Sequence, residues 1–144
     1  MTLSIFKDTD ARLPVRQLHR LFEVVVRGEG NPDWPAAVNL VLTDDQNMRR
    51  LNNQYRSIDR PTDVLSFNLD APEDPDGIFG EIYLSVPHVR RQATENRHGI
   101  WSEYLLLFCH GLLHLFGYDH NKAADESSMF NRQADYLEEL YAEG

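Results

Sequence analysis

Short segments in which apolar and polar residues alternate are spread through the first two-thirds of the chain. This two-residue period is typical of strands that bury one face. We predict strands within residues 1–10, 38–43, 63–69 and 79–86. The last two are expected to pair or to lie close together, because only a short acidic loop with proline and glycine separates them.

Other segments repeat their apolar residues every three or four positions, which is typical of helices. We predict helices within residues 14–28, 43–60, 87–98 and 100–116 and in the C-terminal segment. Thr43 and Gln46 have the spacing of a capping box, so the second helix is expected to begin at Thr43. The fourth is apolar on nearly every side and should be buried. The last is expected to pack through Phe130, Ala134, Leu137 and Tyr141.

The order of these elements, β-α-β-α-β-β-α-α-α, predicts an α+β fold. We expect a single domain over residues 1–144, in which a small mixed four-stranded sheet packs with about five helices and a central buried helix carries the functional site. No segment approaches the roughly 18 apolar residues of a membrane span, and residues 1–10 lack the features of a secretory signal. A cytoplasmic protein without membrane contact is therefore expected.

The formal net charge of −9 argues at first against a nucleic-acid partner, because phosphate contacts need lysine and arginine. Two acidic segments, residues 70–76 and 119–144, account for this whole excess. The rest of the chain contains two blocks rich in arginine, at residues 49–60 and 90–97. These blocks favour a local anion-binding surface, although arginines scattered over solvated helix faces would give the same pattern.

The segment from residue 110 to 120, HGLLHLFGYDH, contains three of the six histidines. His110 and His114 are four residues apart, so a helix would present both imidazoles on one face. Gly117 is suited to a left-handed turn that ends the helix and lets His120 supply a third nitrogen. Three protein ligands leave one position open, which is typical of catalytic zinc. Nickel or another divalent transition metal also suits imidazole ligands, so zinc is expected by default.

A single histidine in a helix is usually structural, and three unrelated histidines remain the alternative interpretation. Burial of two imidazoles among leucines is unfavourable, however, unless their nitrogens have partners. Gly111 costs the helix about 1 kcal/mol relative to alanine, which indicates close approach of another backbone or of a substrate. Zinc peptidases of the H-E-x-x-H type have their general base at this position. Because glycine replaces that glutamate, peptide hydrolysis is the weaker alternative. The lone Cys109 excludes a cysteine-rich zinc framework.

These residues resemble the YbeY family, whose zinc signature H-G-x-L-H-L-x-G-Y-D-H is matched by residues 110–120. Residues 51–56 are similar to its L-N-x-x-Y-R block, residues 61–67 to P-T-D-V-L-S-F, and residues 80–82 to G-D-I. The resemblance implies a single-strand-specific, metal-dependent endoribonuclease of the cytoplasm. It implies roles in the maturation of ribosomal RNA, including the 3′ end of the small-subunit RNA, and in ribosome quality control. Single-stranded RNA, ribosomal RNA and the small ribosomal subunit are the implied partners.

Arg56 resembles the functional arginine of the family and suits bidentate phosphate binding. We expect Arg56 and His114 to be catalytic, with Asp119 orienting a ligand imidazole, transferring a proton, or capping the last helix. The chain departs from the family pattern at Asn68, where proline is frequent, and at Glu81, where aspartate is commoner. A metallopeptidase and a noncatalytic, zinc-containing ribosome-assembly factor remain the competing hypotheses.

Overall fold

The computed structural model describes residues 1–118 and 123–143, which form four strands and five helices. In chain order these are β1 (Thr2–Lys7), α1 (Val15–Glu29), β2 (Ala37–Thr43), α2 (Asp45–Arg56), β3 (Val64–Asn68), β4 (Ile78–Ser85), α3 (Val86–Glu95), α4 (Ile100–Leu115) and α5 (Ala123–Ala142). The predicted order of elements and the α+β class are confirmed. None of the helices in the described part has both the length and the hydropathy that crossing a membrane requires.

The strands form one mixed sheet in the order β1-β2-β4-β3. Strands β1, β2 and β4 are parallel to one another, while β3 pairs antiparallel with β4 and lies at the edge of the sheet. The predicted pairing of the third and fourth strands is therefore confirmed. Each parallel pair needs a long crossover, and α1 supplies the crossover between β1 and β2.

The two faces of the sheet carry different cores. Alternate residues of β2 and β4 belong to the main core together with residues of α1, α3, α4 and α5; they are Val38, Leu40, Leu42, Ile82 and Leu84. A smaller cluster forms under α2 from Met48, Leu51 and Leu65. Helix α4 contributes six side chains that are essentially inaccessible to solvent, namely Tyr104, Leu105, Phe108, Cys109, Leu112 and Leu113. The predicted central buried helix is therefore confirmed.

The start of α2 differs from the expected capping box. Asp44 is the N-cap, because its backbone is extended and its carboxylate accepts a 2.8 Å hydrogen bond from the Asn47 backbone N–H. Thr43 is the last residue of β2, and its hydroxyl donates to Asp8 at 2.8 Å. The prediction of Thr43 as the cap was wrong by one residue because two neighbouring cap-forming side chains compete for this position.

The buried face of α5 also differs from the expected one. The side chains that face the core are Met129, Gln133, Tyr136 and Leu140. Phe130 and Tyr141 are half exposed, at 51% and 50%. Both stripes have helical spacing, so the pattern of apolar residues could not choose between them. The structure selects the stripe in which polar Gln133 and Tyr136 find buried partners.

Candidate metal centre and active-site cleft

His110 and His114 lie one above the other on the C-terminal half of α4. Their Nε2 atoms are 3.1 Å apart, and their rings meet edge to face with centroids separated by 4.7 Å. The four-residue spacing predicted that these two imidazoles converge, and their positions confirm it. Their role as metal ligands stays a prediction.

The other nitrogen of each ring points at an oxygen atom. His114 Nδ1 lies 2.8 Å from the carbonyl oxygen of Tyr118, and His110 Nδ1 lies 3.3 Å from the amide oxygen Oε1 of Gln133. Oxygen acceptors at both Nδ1 atoms favour the tautomer with the proton on Nδ1, which directs both Nε2 lone pairs toward one point. Metal-binding histidines characteristically have this arrangement. The donor set therefore fits a divalent transition metal.

The turn after α4 brings Tyr118 to His114. Gly117 has a φ of +99°, a left-handed conformation that glycine adopts without strain. The backbone N–H of Tyr118 donates to Leu113 at 3.0 Å, and that of Gly117 donates to His114 at 3.0 Å, which is the Schellman pattern. The predicted left-handed turn is confirmed. The turn places the carbonyl oxygen of Tyr118 within hydrogen-bond distance of His114 Nδ1.

His120 and Asp119 lie outside the described residues. The third metal ligand and the second-sphere role of Asp119 therefore stay predictions. Among the side chains that the structure describes, those of residues 1–118 and 127–143, no three histidine, cysteine, aspartate or glutamate groups lie together so that they could hold an ion.

Gly111 lets α4 lie against the sheet. A Cβ atom at this position would be 2.8 Å from Cγ2 of Ile82 and 3.1 Å from the hydroxyl of Ser66. The Ser66 hydroxyl donates to the Gly111 carbonyl at 3.1 Å. The expectation of close approach was correct in kind, but the approaching groups are side chains of β3 and β4 rather than a backbone or a substrate. This contact fixes the distance between the edge strand β3 and the part of α4 that carries His110.

An open cleft of about 790 Å³ lies beside the two histidines. Its walls come from the end of α2 and the following segment, from β3, and from α4 and α5. The lining side chains with polar or aromatic groups include Arg56, Arg60, Asp63, Ser66, Tyr118 and Phe130. The structure thus brings His110, His114 and Arg56 to one cavity, although Arg56 is more than fifty positions from either histidine in sequence.

Arg56 is the last residue of α2, and the chain turns sharply after it. Ser57 has a φ of 58°, and the buried amide of Asn52 donates to the carbonyl of Arg60 at 2.9 Å. The Arg56 guanidinium donates to the carbonyl of Ser66 at 3.4 Å and lies 5.9 Å from the centroid of the Phe67 ring. These contacts place the exposed side chain of Arg56 beside the edge strand β3, where it lines the cleft.

The first arginine block is divided between two roles. Arg49 is paired with Asp59, with Nε 2.7 Å from the carboxylate, on the exposed surface. Arg50 donates to the side-chain oxygen of Asn47. Arg56 and Arg60 line the cleft. The alternative of scattered surface arginines therefore describes only part of this block.

A polar network fixes α5 beside the site. Arg132 Nη2 donates to Glu29 Oε2 at 2.6 Å, and the hydroxyl of Tyr136 donates to the same oxygen. The side chain of Glu29 is 9% exposed. Burial raises the pKa of Glu29, and hydrogen bonds from Tyr136, Tyr118 and Arg132 lower it. The lowering outweighs the effect of burial, so the pKa lies below its ordinary value. The network joins α1 to α5 and so holds Gln133 against His110.

Asn68 and Glu81, the departures from the family pattern, both make side-chain hydrogen bonds. The amide of Asn68 donates to the carbonyl of Leu115 at 2.9 Å and ties the end of β3 to the end of α4. Glu81 accepts hydrogen bonds from Asn39 and from the Tyr83 hydroxyl, each at 3.2 Å. Asn68 thus stabilises the contact between the edge strand and the helix that carries the histidines.

Comparisons with known proteins place this architecture in a family. The family described as "Endoribonuclease YbeY" matches residues 5–141. A protein of that name from Moorella thermoacetica is 42% identical over 125 residues, covering 81% of this chain and 80% of the relative. Another, from Desulforamulus reducens, is 38% identical over 133 residues, covering 88% and 86%.

A solved structure shares this fold. The solution structure of a Thermotoga maritima protein is 33% identical and superposes with a TM-score of 0.65, covering 98% of this chain and 90% of that one. The family match begins within β1, ends within α5 and includes the four segments that resemble the family's motifs, at residues 51–56, 61–67, 80–82 and 110–120. The chain therefore belongs to the endoribonuclease YbeY family.

Proposed function

We propose that this chain is a metal-dependent endoribonuclease that cuts single-stranded RNA in the cleft beside His110 and His114. Its membership in a family of endoribonucleases assigns it the hydrolysis of RNA. The observation that carries the metal dependence is the pair of Nε2 atoms 3.1 Å apart, each ring oriented through its Nδ1 atom.

Zinc is the ion we infer, with His110 and His114 as two ligands and His120 as the third. Nickel or another divalent transition metal would suit the same nitrogens. When bound, such an ion supplies positive charge at the phosphate and an acidified oxygen nucleophile. The residues of the chain then have to hold the phosphate and orient it in line with that nucleophile. The chain's own part is therefore mainly electrostatic and positional.

Arg56 is the residue we infer to bind the scissile phosphate. Its guanidinium reaches the cleft from the end of α2 and is held by the Ser66 carbonyl and the Phe67 ring. A guanidinium can donate two parallel hydrogen bonds to one phosphate, which orients the group as well as neutralising it. Arg60 lines the same wall and would meet a neighbouring phosphate. Asp119 is proposed to orient a ligand imidazole or to transfer a proton.

Ribosomal RNA of the small subunit is the proposed substrate, in RNA maturation and ribosome quality control in the cytoplasm. The net charge of −9 supports a need for targeting, because an acidic surface weakens nonspecific affinity for RNA. Pairing of Arg49 with Asp59 removes a further cation from the free surface. We therefore infer that contact with the ribosome, rather than bulk electrostatic attraction, brings the enzyme to its RNA.

Peptide hydrolysis is not supported by the geometry. The peptidase motif needs a carboxylate at position 111, and the Cβ direction of Gly111 is filled by Ile82, Ser66 and Val64. A glutamate at this position would force these neighbouring side chains, the helix or the sheet to shift. A noncatalytic assembly factor with structural zinc would need a fourth protein ligand to close the ion's coordination.

The deciding experiment incubates metal-loaded protein with single-stranded RNA and, separately, with an unfolded polypeptide, each with and without chelator. We expect cleavage of RNA only, and only without chelator. His114→Ala should lose both bound metal, measured by elemental analysis, and RNA cleavage. His19→Ala, on the exposed surface of α1, is the matched control and should change neither. Cleavage of polypeptide, or full activity in chelator, would overturn the proposal.

A further inference from the structure

Phe130 lines the same cleft as His110, His114 and Arg56, yet half of its side chain is open to solvent, at 51%. Single exposed apolar residues are common on protein surfaces and need no function. A phenylalanine on the wall of a proposed active site is a different case. There its exposed ring is available to a ligand, in a lining that also contains arginine, aspartate and histidine side chains.

The position of Phe130 on α5 relates it to the metal centre. It precedes Gln133 by three residues, which is nearly one helical turn, or about 5 Å along the helix. Gln133 is buried and its amide oxygen lies 3.3 Å from His110 Nδ1. The ring therefore lies one turn from the residue that orients a proposed ligand.

The same cleft also provides the groups that a polynucleotide backbone needs. Arg56 and Arg60 line it, with Ile58 between them in sequence. Asp63 also lines the cleft, but its carboxylate accepts from the backbone N–H of Val64 at 2.8 Å and from the Thr62 hydroxyl. Cations and an exposed aromatic ring in one cleft are the two components by which proteins bind single strands, because phosphates need charge and unpaired bases stack on rings.

We propose that Phe130 is a stacking platform for one base of the RNA strand whose phosphate is held by Arg56. This inference rests on the proposed function and adds to it the means by which single strands are recognised. A base can reach the ring only when it is unstacked from its neighbours, and bases inside a duplex are not. Phe130 thus contributes to the preference for single-stranded substrate, in addition to affinity.

The test measures by fluorescence anisotropy how the protein binds two labelled strands of equal length. One strand is RNA bearing 2′-O-methyl groups, and the other is the same strand without its bases. Phe130→Ala should weaken binding of the base-bearing strand roughly 5- to 100-fold, the range expected for one lost stacking contact. Binding of the abasic strand should not change. Phe130→Trp should preserve binding. Tyr141→Ala is the matched control, since Tyr141 is on the same helix and 50% exposed but does not line this cleft.

The outcomes separate this proposal from the proposed function. If the wild-type protein binds and cuts RNA and Phe130→Ala does so equally well, the stacking proposal is wrong and the ribonuclease stands. An equal loss for base-bearing and abasic strands would also overturn it, because stacking requires a base. If the wild-type protein neither binds nor cuts RNA, the proposed function fails and the stacking site with it. Thermal unfolding of each variant checks that the fold is retained.

Discussion

The Nδ1 atom of His110 lies 3.3 Å from the amide oxygen of Gln133, a residue 23 positions later in the chain and on another helix. This contact sets the orientation of one of the two imidazoles that converge at the proposed metal centre. It also makes α5, which contributes no described histidine, part of the site.

Replacing Gln133 by methionine should weaken metal binding while leaving His110 in place. Methionine has similar length but cannot accept the Nδ1 proton, so the ring loses its fixed tautomer and orientation. We expect metal affinity, measured by competition with a chromogenic chelator, to fall roughly 10- to 100-fold. Gln133→Glu should retain affinity, because a carboxylate accepts the same proton. Gln54→Met, on the exposed face of α2, should leave metal affinity unchanged. If Gln133→Met binds metal as tightly as the wild type, Gln133 does not orient a ligand.

Arg56→Ala should abolish most RNA cleavage without loss of metal or fold. A hydrogen bond to a charged group contributes about 1.5–3 kcal/mol, which corresponds to a roughly 10- to 100-fold lower kcat/KM. Arg56→Lys should recover part of this loss, since charge is restored but the bidentate geometry is not. Arg49→Ala serves as the control because Arg49 is already paired with Asp59. If Arg56→Ala cleaves as fast as the wild type, Arg56 does not contact the reacting phosphate.

Gly111→Ala should destabilise the protein. The new Cβ would be 2.8 Å from Ile82 Cγ2, so α4 or the sheet would have to move. Overpacking costs typically 1–3 kcal/mol, which exceeds the gain of about 1 kcal/mol from the better helix propensity of alanine. Urea denaturation measures the difference. Gly99→Ala is the control for overpacking, because a Cβ there meets only Ser102 Oγ at 4.0 Å. A Gly111→Ala protein as stable as the wild type would contradict the packing argument.

The Glu29 network should make stability sensitive to acid. The pKa of Glu29 is lowered in the folded state, so its contribution is present above its ordinary pKa of about 4.5 and is lost as the pH falls through the lowered value. Glu29→Gln should be less stable than the wild type near neutral pH and should lose less stability on acidification. Denaturation curves at several pH values test this. Glu23 is in an exposed pair with Arg20, so the stability of Glu23→Gln should depend on pH as that of the wild type does. If the stability of Glu29→Gln also falls with pH in parallel with the wild type, Glu29 does not have this role.

The order of the elements and the pairing of two imidazoles were predictable because both follow from local spacing. A strand repeats every two residues, and a histidine four positions after another lies above it on a helix. Gly117 was likewise predictable, since the left-handed turn that it allows is a property of a few neighbouring residues.

The contacts of α5 were not predictable in this way. Gln133 and His110 are 23 positions apart, and Tyr136 and Glu29 are 107 apart. Which residues of α5 face the core depends on tertiary packing, because Gln133 and Tyr136 meet their partners on α4 and α1 only in the folded chain. For the same reason, the exposure of Phe130 could not be read from the sequence, and its place in the cleft became visible only with the fold.

Helix α4 is at once the centre of the hydrophobic core and the element that carries His110 and His114. A change that shifts this helix would therefore disturb both folding and the proposed chemistry. The other walls of the cleft come from the end of α2, the segment after it, β3 and α5. On α5, the exposed ring of Phe130 can change without disturbing the interior, so the proposed stacking surface can be altered independently of the helix that carries the histidines.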